Sequence, residues 1–236
     1  MGLTAALIGH SYIRRLAEDI AYEGRPKRPN FSPKMAADRM SVEALFDKVH
    51  IFGKDSFTLH QMQKNICRAG RLHPDVVVIN CGSNDLCEME CDVQKVVNGL
   101  VSYANFLRIG YGVKYIAIIG VANRKKCRSI SQDEFAERAY AFNGRLKAVL
   151  ETVDGVDYAD MKGFHRDLNG NELPVGAWSD DGVHPAASGD KRENGMEKYR
   201  KVVRRSLLKG AGSVFRQLRL NRHEDELYII SGGSFT

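Results

Sequence analysis

Long apolar runs are missing from this sequence. No stretch approaches the roughly 18–20 residues needed to cross a bilayer, so a membrane-spanning protein is not expected. The first nine residues, Met1-Gly-Leu-Thr-Ala-Ala-Leu-Ile-Gly9, carry no charged leader, as a secretory signal would. Ala6 stands where a myristoylation signal needs Ser or Thr. The expectation is a soluble cytoplasmic protein. Cysteine is scarce and odd in number, with five in the chain, which without a secretory signal argues against a disulfide framework. Cys87 and Cys91 stand four apart, but no second Cys or His pair sits at zinc spacing. Nucleotide signatures are lacking as well: there is no Gly-x-Gly-x-x-Gly and no phosphate-loop Gly-Lys-Ser/Thr. No coiled coil, zinc knuckle or RNA-recognition signature is visible. Neither a metal nor another cofactor is expected.

What is present is ordinary for a globular protein. The chain has 236 residues, 43% apolar and 27% charged. At roughly 100–200 residues per domain this is one domain, or one with a tail. It is long enough to bury a core without staples, and its composition excludes global disorder. The net charge of +6 is unevenly spread. From Lys191 to Arg222 there are 11 Lys/Arg against 2 Asp/Glu, leaving 24 against 27 elsewhere. A slightly acidic body therefore carries a strongly basic C-terminal segment. Such a segment is either a solvated amphipathic helix or a surface for nucleic acid or an anionic membrane. Two smaller basic clusters, Arg25/Lys27/Arg28 and Arg124-Lys-Lys-Cys-Arg128, read as loops. Placed at one edge of a sheet, they would form an anion-attracting rim.

Apolar, β-branched runs at 4–9, 48–53, 75–81 and 113–120, with a weaker one at 156–159, read as strands. Val76-Val-Val-Ile79 and Ile116-Ala-Ile-Ile119 are continuously apolar, as parallel strands covered on both faces require. Helical patterns lie between them at 12–22, 59–69, 93–109 and 134–153, and a last one at 185–208. Ser131-Gln-Asp-Glu134 reads as a capping box. The alternation predicts an α/β three-layer sandwich with a mostly parallel sheet. Residues 24–40 and 161–179 read as long loops, and 209–236 as a basic, flexible tail after a 1–208 domain.

In such folds the site lies at the C-terminal ends of the strands. Strand one ends in Gly9-His10-Ser11. Ser11 is either a helix cap or an exposed nucleophile beside helix-start amides. Strand two ends at Gly53, a turn residue or one that offers its backbone N–H to a ligand. Strand three ends in Gly82-Ser83-Asn84-Asp85. Asp85 suits an Asx turn or the cap of the next helix, whereas the Asn84 side chain would also suit an oxyanion. Late in the chain comes Asp181-Gly182-Val183-His184-Pro185. A carboxylate three residues before a His can accept its Nδ1 proton and leave Nε2 as a base.

Together these four pieces resemble the SGNH/GDSL hydrolase superfamily, over about residues 4–206. The resemblance implies a flavodoxin-like fold with a five-stranded sheet of order 2-1-3-4-5. It implies Ser11 as nucleophile, His184 as base and Asp181 orienting it. It also implies an oxyanion hole from the N–H groups of Ser11 and Gly53 and the side chain of Asn84. The activity implied is hydrolysis of carboxylic esters, of lipids, sugars or small molecules, through an acyl-enzyme and without a cofactor. One residue departs from the pattern: His10 replaces the usual acidic residue of Gly-Asp-Ser. Pointing inward, it would bear on the donors around Ser11; it would also be an alternative base. Ser11-Tyr-Ile-Arg-Arg-Leu16 and the compact ending Asp-Gly-Val-His-Pro look similar to esterase-like domains encoded by some retroelements. That likeness carries the second reading, a weakly catalytic domain that associates with nucleic acid or membrane through its basic segment.

Overall fold

Strands β1 (Leu3–Gly9), β2 (Phe46–Gly53), β3 (Val76–Asn80), β4 (Tyr115–Ile119) and β5 (Val156–Ala159) pair in parallel in the order β2-β1-β3-β4-β5. In this computed structural model the described residues are 2–22, 32–124, 126–161, 179, 181, 183–185 and 195–231, with 222–231 as backbone alone. Helices α1 (Ser11–Tyr22), α2 (Pro33–Arg39), α3 (Leu59–Gly70), α4 (Val93–Tyr111), α5 (Gln132–Leu150) and α6 (Gly195–Ser231) cover the sheet. The expected sandwich and strand order are those observed.

Alternation along the strands explains the layers, since successive side chains point to opposite faces. Leu3, Ala5 and Leu7, with Val76, Val78, Tyr115 and Ala117, pack under α1, α2 and α6. Ala6 and Ile8, with Val77, Ile79, Ile116 and Ile118, pack under α3, α4 and α5. Both faces are dry, which is why these strands read as unbroken apolar runs. The chain winds outward from β1 to β2 and then crosses to β3 on the other side of β1. Connections leaving β1 and β3 therefore part at their C-terminal ends and open a crevice there.

Two stretches differ from their sequence reading, one at 24–40 and one in the basic C-terminal segment. Residues 24–40, expected as loop, contain α2. Ser32 caps it by accepting the Met35 N–H at 3.3 Å, and Pro33 opens it. Seven residues are too few to show a helical period, so these terminal signals were the only trace. The second expected loop, 161–179, lies outside the described residues except at its two ends. The basic segment is mostly α6, and the boundary expected at 208 falls inside that helix. Its apolar stripe runs Tyr199, Val203, Leu207, Ala211 and Val214, all fully buried. Gly210 lies so close to Tyr115 and Val76 that a Cβ there would stand 2.7 Å from each. Several of its charges meet the acidic body. Arg200 pairs with Asp19 at 2.7 Å and Lys209 with Asp157 at 2.8 Å, and Arg204 reaches the Ser41 carbonyl at 3.4 Å. Among the described residues no helix is long and apolar enough to cross a membrane.

Candidate active site

Ser11 is the first residue of α1, at the C-terminal mouth of β1, and is only 4% exposed. His10 takes two of the first-turn amides, accepting the Tyr12 N–H at its ring and the Arg14 N–H at its carbonyl, 3.2 Å away. Close packing holds this turn. A Cβ on Gly53 would stand 2.5 Å from Arg14 Cα, so only glycine lets β2 end against the first turn of α1. Lys54 N–H donates to the Gly9 carbonyl at 3.1 Å and ties the two strand ends together.

The second component is a compact turn. Asp181 Oδ1 accepts the backbone N–H of Val183 and of His184, each at 2.9 Å, and the Ser179 hydroxyl at 2.6 Å. Its Oδ2 accepts His184 Nδ1–H at 2.7 Å and a bond from Arg15 Nη2 at 3.1 Å. Burial opposes ionisation of Asp181, but these donors outweigh it and hold its carboxyl below the usual carboxylate range. His184 is pushed down from 6.5, first by burial, with Arg15 and Arg124 adding to the effect against Asp181. A neutral His184 with Nδ1–H on a carboxylate has Nε2 free to take a proton. Tyr12 fastens this turn to α1: its hydroxyl donates to the Val183 carbonyl at 2.7 Å, and its ring meets that of His184 edge-on at 6.0 Å.

The third component follows β3. Asn84 Nδ2 donates to the Phe57 carbonyl at 2.9 Å, while its Oδ1 accepts from Arg124 Nη2 at 2.8 Å. These partners fix which end of the amide is which and leave one N–H uncommitted. Arg124 Nη2 also donates to Ser83 Oγ at 2.6 Å, and Nη1 donates to Cys87 Sγ at 3.2 Å. Arg124 is 6% exposed as a residue, and its guanidinium lies over the Phe135 ring. Beside it, Cys87 is brought down to about 7 by a hydrogen bond from Cys127, against burial and with help from Arg124. Sγ of Cys127 is 3.7 Å from Sγ of Cys87. Asp85 caps α3, not the turn that follows it: its carboxylate accepts the Leu59 N–H at 2.9 Å.

His10 points inward. Tyr12 N–H donates to its Nδ1 at 3.4 Å, so Nε2 carries the proton and donates to Ser83 Oγ at 3.0 Å. Burial, then the charges of Arg124 and His184, push its pKa well down, so the ring is neutral. Both nitrogens are occupied, so His10 is a strut and not a free base.

Ser11, Asn84, Asp181 and His184 meet at the wall of one cavity of about 390 Å³. Gly53 is not among the described residues of that wall; it packs against the backbone of Ile13 and Arg14 in the first turn of α1. Among Ser11, His184 and Asp181, the His184–Asp181 contact is the hydrogen bond present. Sequence reading missed Arg124, Arg15 and Tyr12 as parts of the site. Arg124 stood out only as one charge in a basic cluster, and nothing marked it as buried. Among the described residues no group of His, Cys, Asp and Glu could hold a metal ion.

The model of the GDSL-like lipase/acylhydrolase family matches residues 8–192, the span that contains all of these components. The chain belongs to this family. Its members are carboxylic ester hydrolases, so membership makes the chain an enzyme of that class. Solved structures agree on the fold. A GDSL-like lipase from Bacteroides thetaiotaomicron is 16% identical with a TM-score of 0.61, over 89% of this chain and 87% of its own. An acetylxylan esterase from Geobacillus stearothermophilus, solved as a catalytic mutant, is 17% identical with a TM-score of 0.57 over 90% and 96%. A family 3 carbohydrate esterase from Talaromyces cellulolyticus is 17% identical with a TM-score of 0.58 over 89% and 98%. No curated protein matches the chain in sequence.

Proposed function

We propose that the chain cleaves small carboxylic esters, acetyl esters first among them, with Ser11 as nucleophile. The observation that carries this is the shared cavity of Ser11, Asn84 and the His184–Asp181 pair. A serine hydroxyl is a poor nucleophile until a base takes its proton. In the reaction Ser11 Oγ attacks the carbonyl carbon while His184 Nε2 takes the proton, and that contact tightens when substrate binds. Asp181 holds the tautomer and stabilises the imidazolium. Negative charge on the carbonyl oxygen is met by the Ser11 N–H and the uncommitted Asn84 N–H, whose amide Arg124 polarises through Oδ1. Gly53 acts by letting Ser11 sit where it does. His184 then protonates the leaving alcohol, and a water activated by the same histidine releases the acid from Ser11. The acetylxylan esterase among the structural relatives makes acetyl esters the first to try.

The test is turnover of p-nitrophenyl acetate and butyrate by the wild type and by Ser11→Ala. The expected result is loss of about 10⁴-fold or more in kcat in the variant with an unchanged melting temperature. Equal rates from the two proteins would overturn the assignment of Ser11.

A further inference from the structure

Arg124 carries a charge that the described part of the molecule does not balance with a carboxylate. Its buried guanidinium bonds to neutral oxygens of Ser83 and Asn84 and to Cys87 sulfur, and its Nε has no partner. Cys87, with a pKa of about 7, offsets that charge in part at neutral pH. Burying a cation without an anion is costly, so such a group is normally kept for an anion that arrives. The rest of the wall has the same sign. Of its other cations, Arg14 is paired with Asp55 and Arg15 with Asp181. Lys126 and Arg128 are exposed at the rim, with no carboxylate in salt-bridge range among the described residues. Among the described lining residues, Glu88 is the one carboxylate left to oppose Arg124, Lys126 and Arg128. Val183 supplies the only aliphatic side chain among the described lining residues. A negatively charged group finds three cations there, Arg124, Lys126 and Arg128.

Resting on the hydrolase reading above, we propose that the preferred substrates are short-chain esters carrying a second, permanently anionic group, a carboxylate or a phosphate, held between Arg124 and the Lys126–Arg128 rim. A cleft lined by charge of one sign raises the local concentration of the opposite charge by about 10-fold to 10³-fold, and salt screens that gain. No covalent step is added to the reaction; the anion is bound and orients the ester.

The test compares kcat/KM for 4-acetoxybenzoate and 4-acetoxyphenyl phosphate with that for the neutral methyl 4-acetoxybenzoate. The expected result is a preference of about 10-fold or more for at least one anionic ester. That preference should shrink with added salt and collapse in Lys126→Glu/Arg128→Glu. The control Lys64→Glu/Lys147→Glu makes the same change in net charge at exposed sites outside the wall, and should keep the preference. The larger ratio identifies carboxylate or phosphate as the favoured group. Equal or better use of the neutral ester overturns the proposal, and so does equal loss in both double variants. Calorimetric titration of the same three esters into the Ser11→Ala protein reads binding without turnover. If the wild type hydrolyses none of them, the hydrolase reading fails, and this titration still decides the proposal. Tighter binding of an anionic ester, lost in Lys126→Glu/Arg128→Glu, supports it; equal binding of all three overturns it.

Discussion

Asn84 shows how much a single side chain depends on its partners. With Oδ1 on Arg124 and one N–H on the Phe57 carbonyl, the amide cannot flip without losing both bonds. Its remaining N–H is a donor fixed before any charge develops, which is what makes such donors effective. Replacing Asn84 by Ala is expected to cost on the order of 10²–10³ in kcat with little change in KM; steady-state kinetics on one short ester reads it. A second expectation concerns pH. In the proposed mechanism His184 acts as base when neutral, and burial and nearby arginines hold its pKa below the ordinary 6.5. Activity should be flat through neutral pH and fall only as pH drops through a value under 6.5. A kcat/KM profile with its acid limb at or above 6.5 would contradict this. The motif residues were legible because each lies in a short local pattern, such as Asp181 and His184 three apart. Arg124 was not, because burial of a charge depends on what packs over it, and Phe135 comes from a helix that follows in the chain.

At the scale of elements, the strands were legible because both faces are covered and the apolar runs are unbroken. The helix ends were legible where a cap is local. Ser131 accepts the Glu134 N–H at 3.1 Å as its motif predicts, although Glu134 turns to Arg138 and leaves the box half formed. Asp92 caps α4 by accepting the N–H groups of Gln94 and Lys95. Asp85 was misread for the opposite reason, since it caps a helix 26 residues earlier in the chain. That bond joins the loop after β3 to the start of α3 and so braces the Asn84 segment. Asp85→Ala should lower stability by about 1 kcal/mol, the usual worth of a cap. Burial raises the Asp85 carboxyl, so Asp85→Asn, which keeps an acceptor without a charge to desolvate, should retain most of it. Urea unfolding of the three proteins checks both values, and equal midpoints would show that the cap carries no weight.

In the whole molecule, the charge asymmetry of the sequence is in part an internal contact. Positive residues of α6 meet Asp19 and Asp157 of the body, and its stripe from Tyr199 to Val214 closes one face of the sheet. The sequence reading placed a boundary at 208, whereas the helix continues past it and Gly210 lets it approach Tyr115 and Val76 closely. Truncation after Leu208 should therefore destabilise the protein, by roughly 1.5–3 kcal/mol for the buried Val214 side chain alone. An unchanged melting temperature in the truncated chain would contradict the packing role.

The central claim is that Ser11 is the reacting atom's owner in a site built by both halves of the sheet. The most direct measurement is to treat the protein with a fluorophosphonate and map the adduct by peptide mass spectrometry. Such reagents add to a serine whose proton is removed by a neighbouring base. The account predicts one adduct, on the peptide that contains Ser11, and its loss in His184→Ala. An unlabelled Ser11 under conditions that fully label a known serine hydrolase, or an adduct confined to another residue such as Cys87, would contradict it.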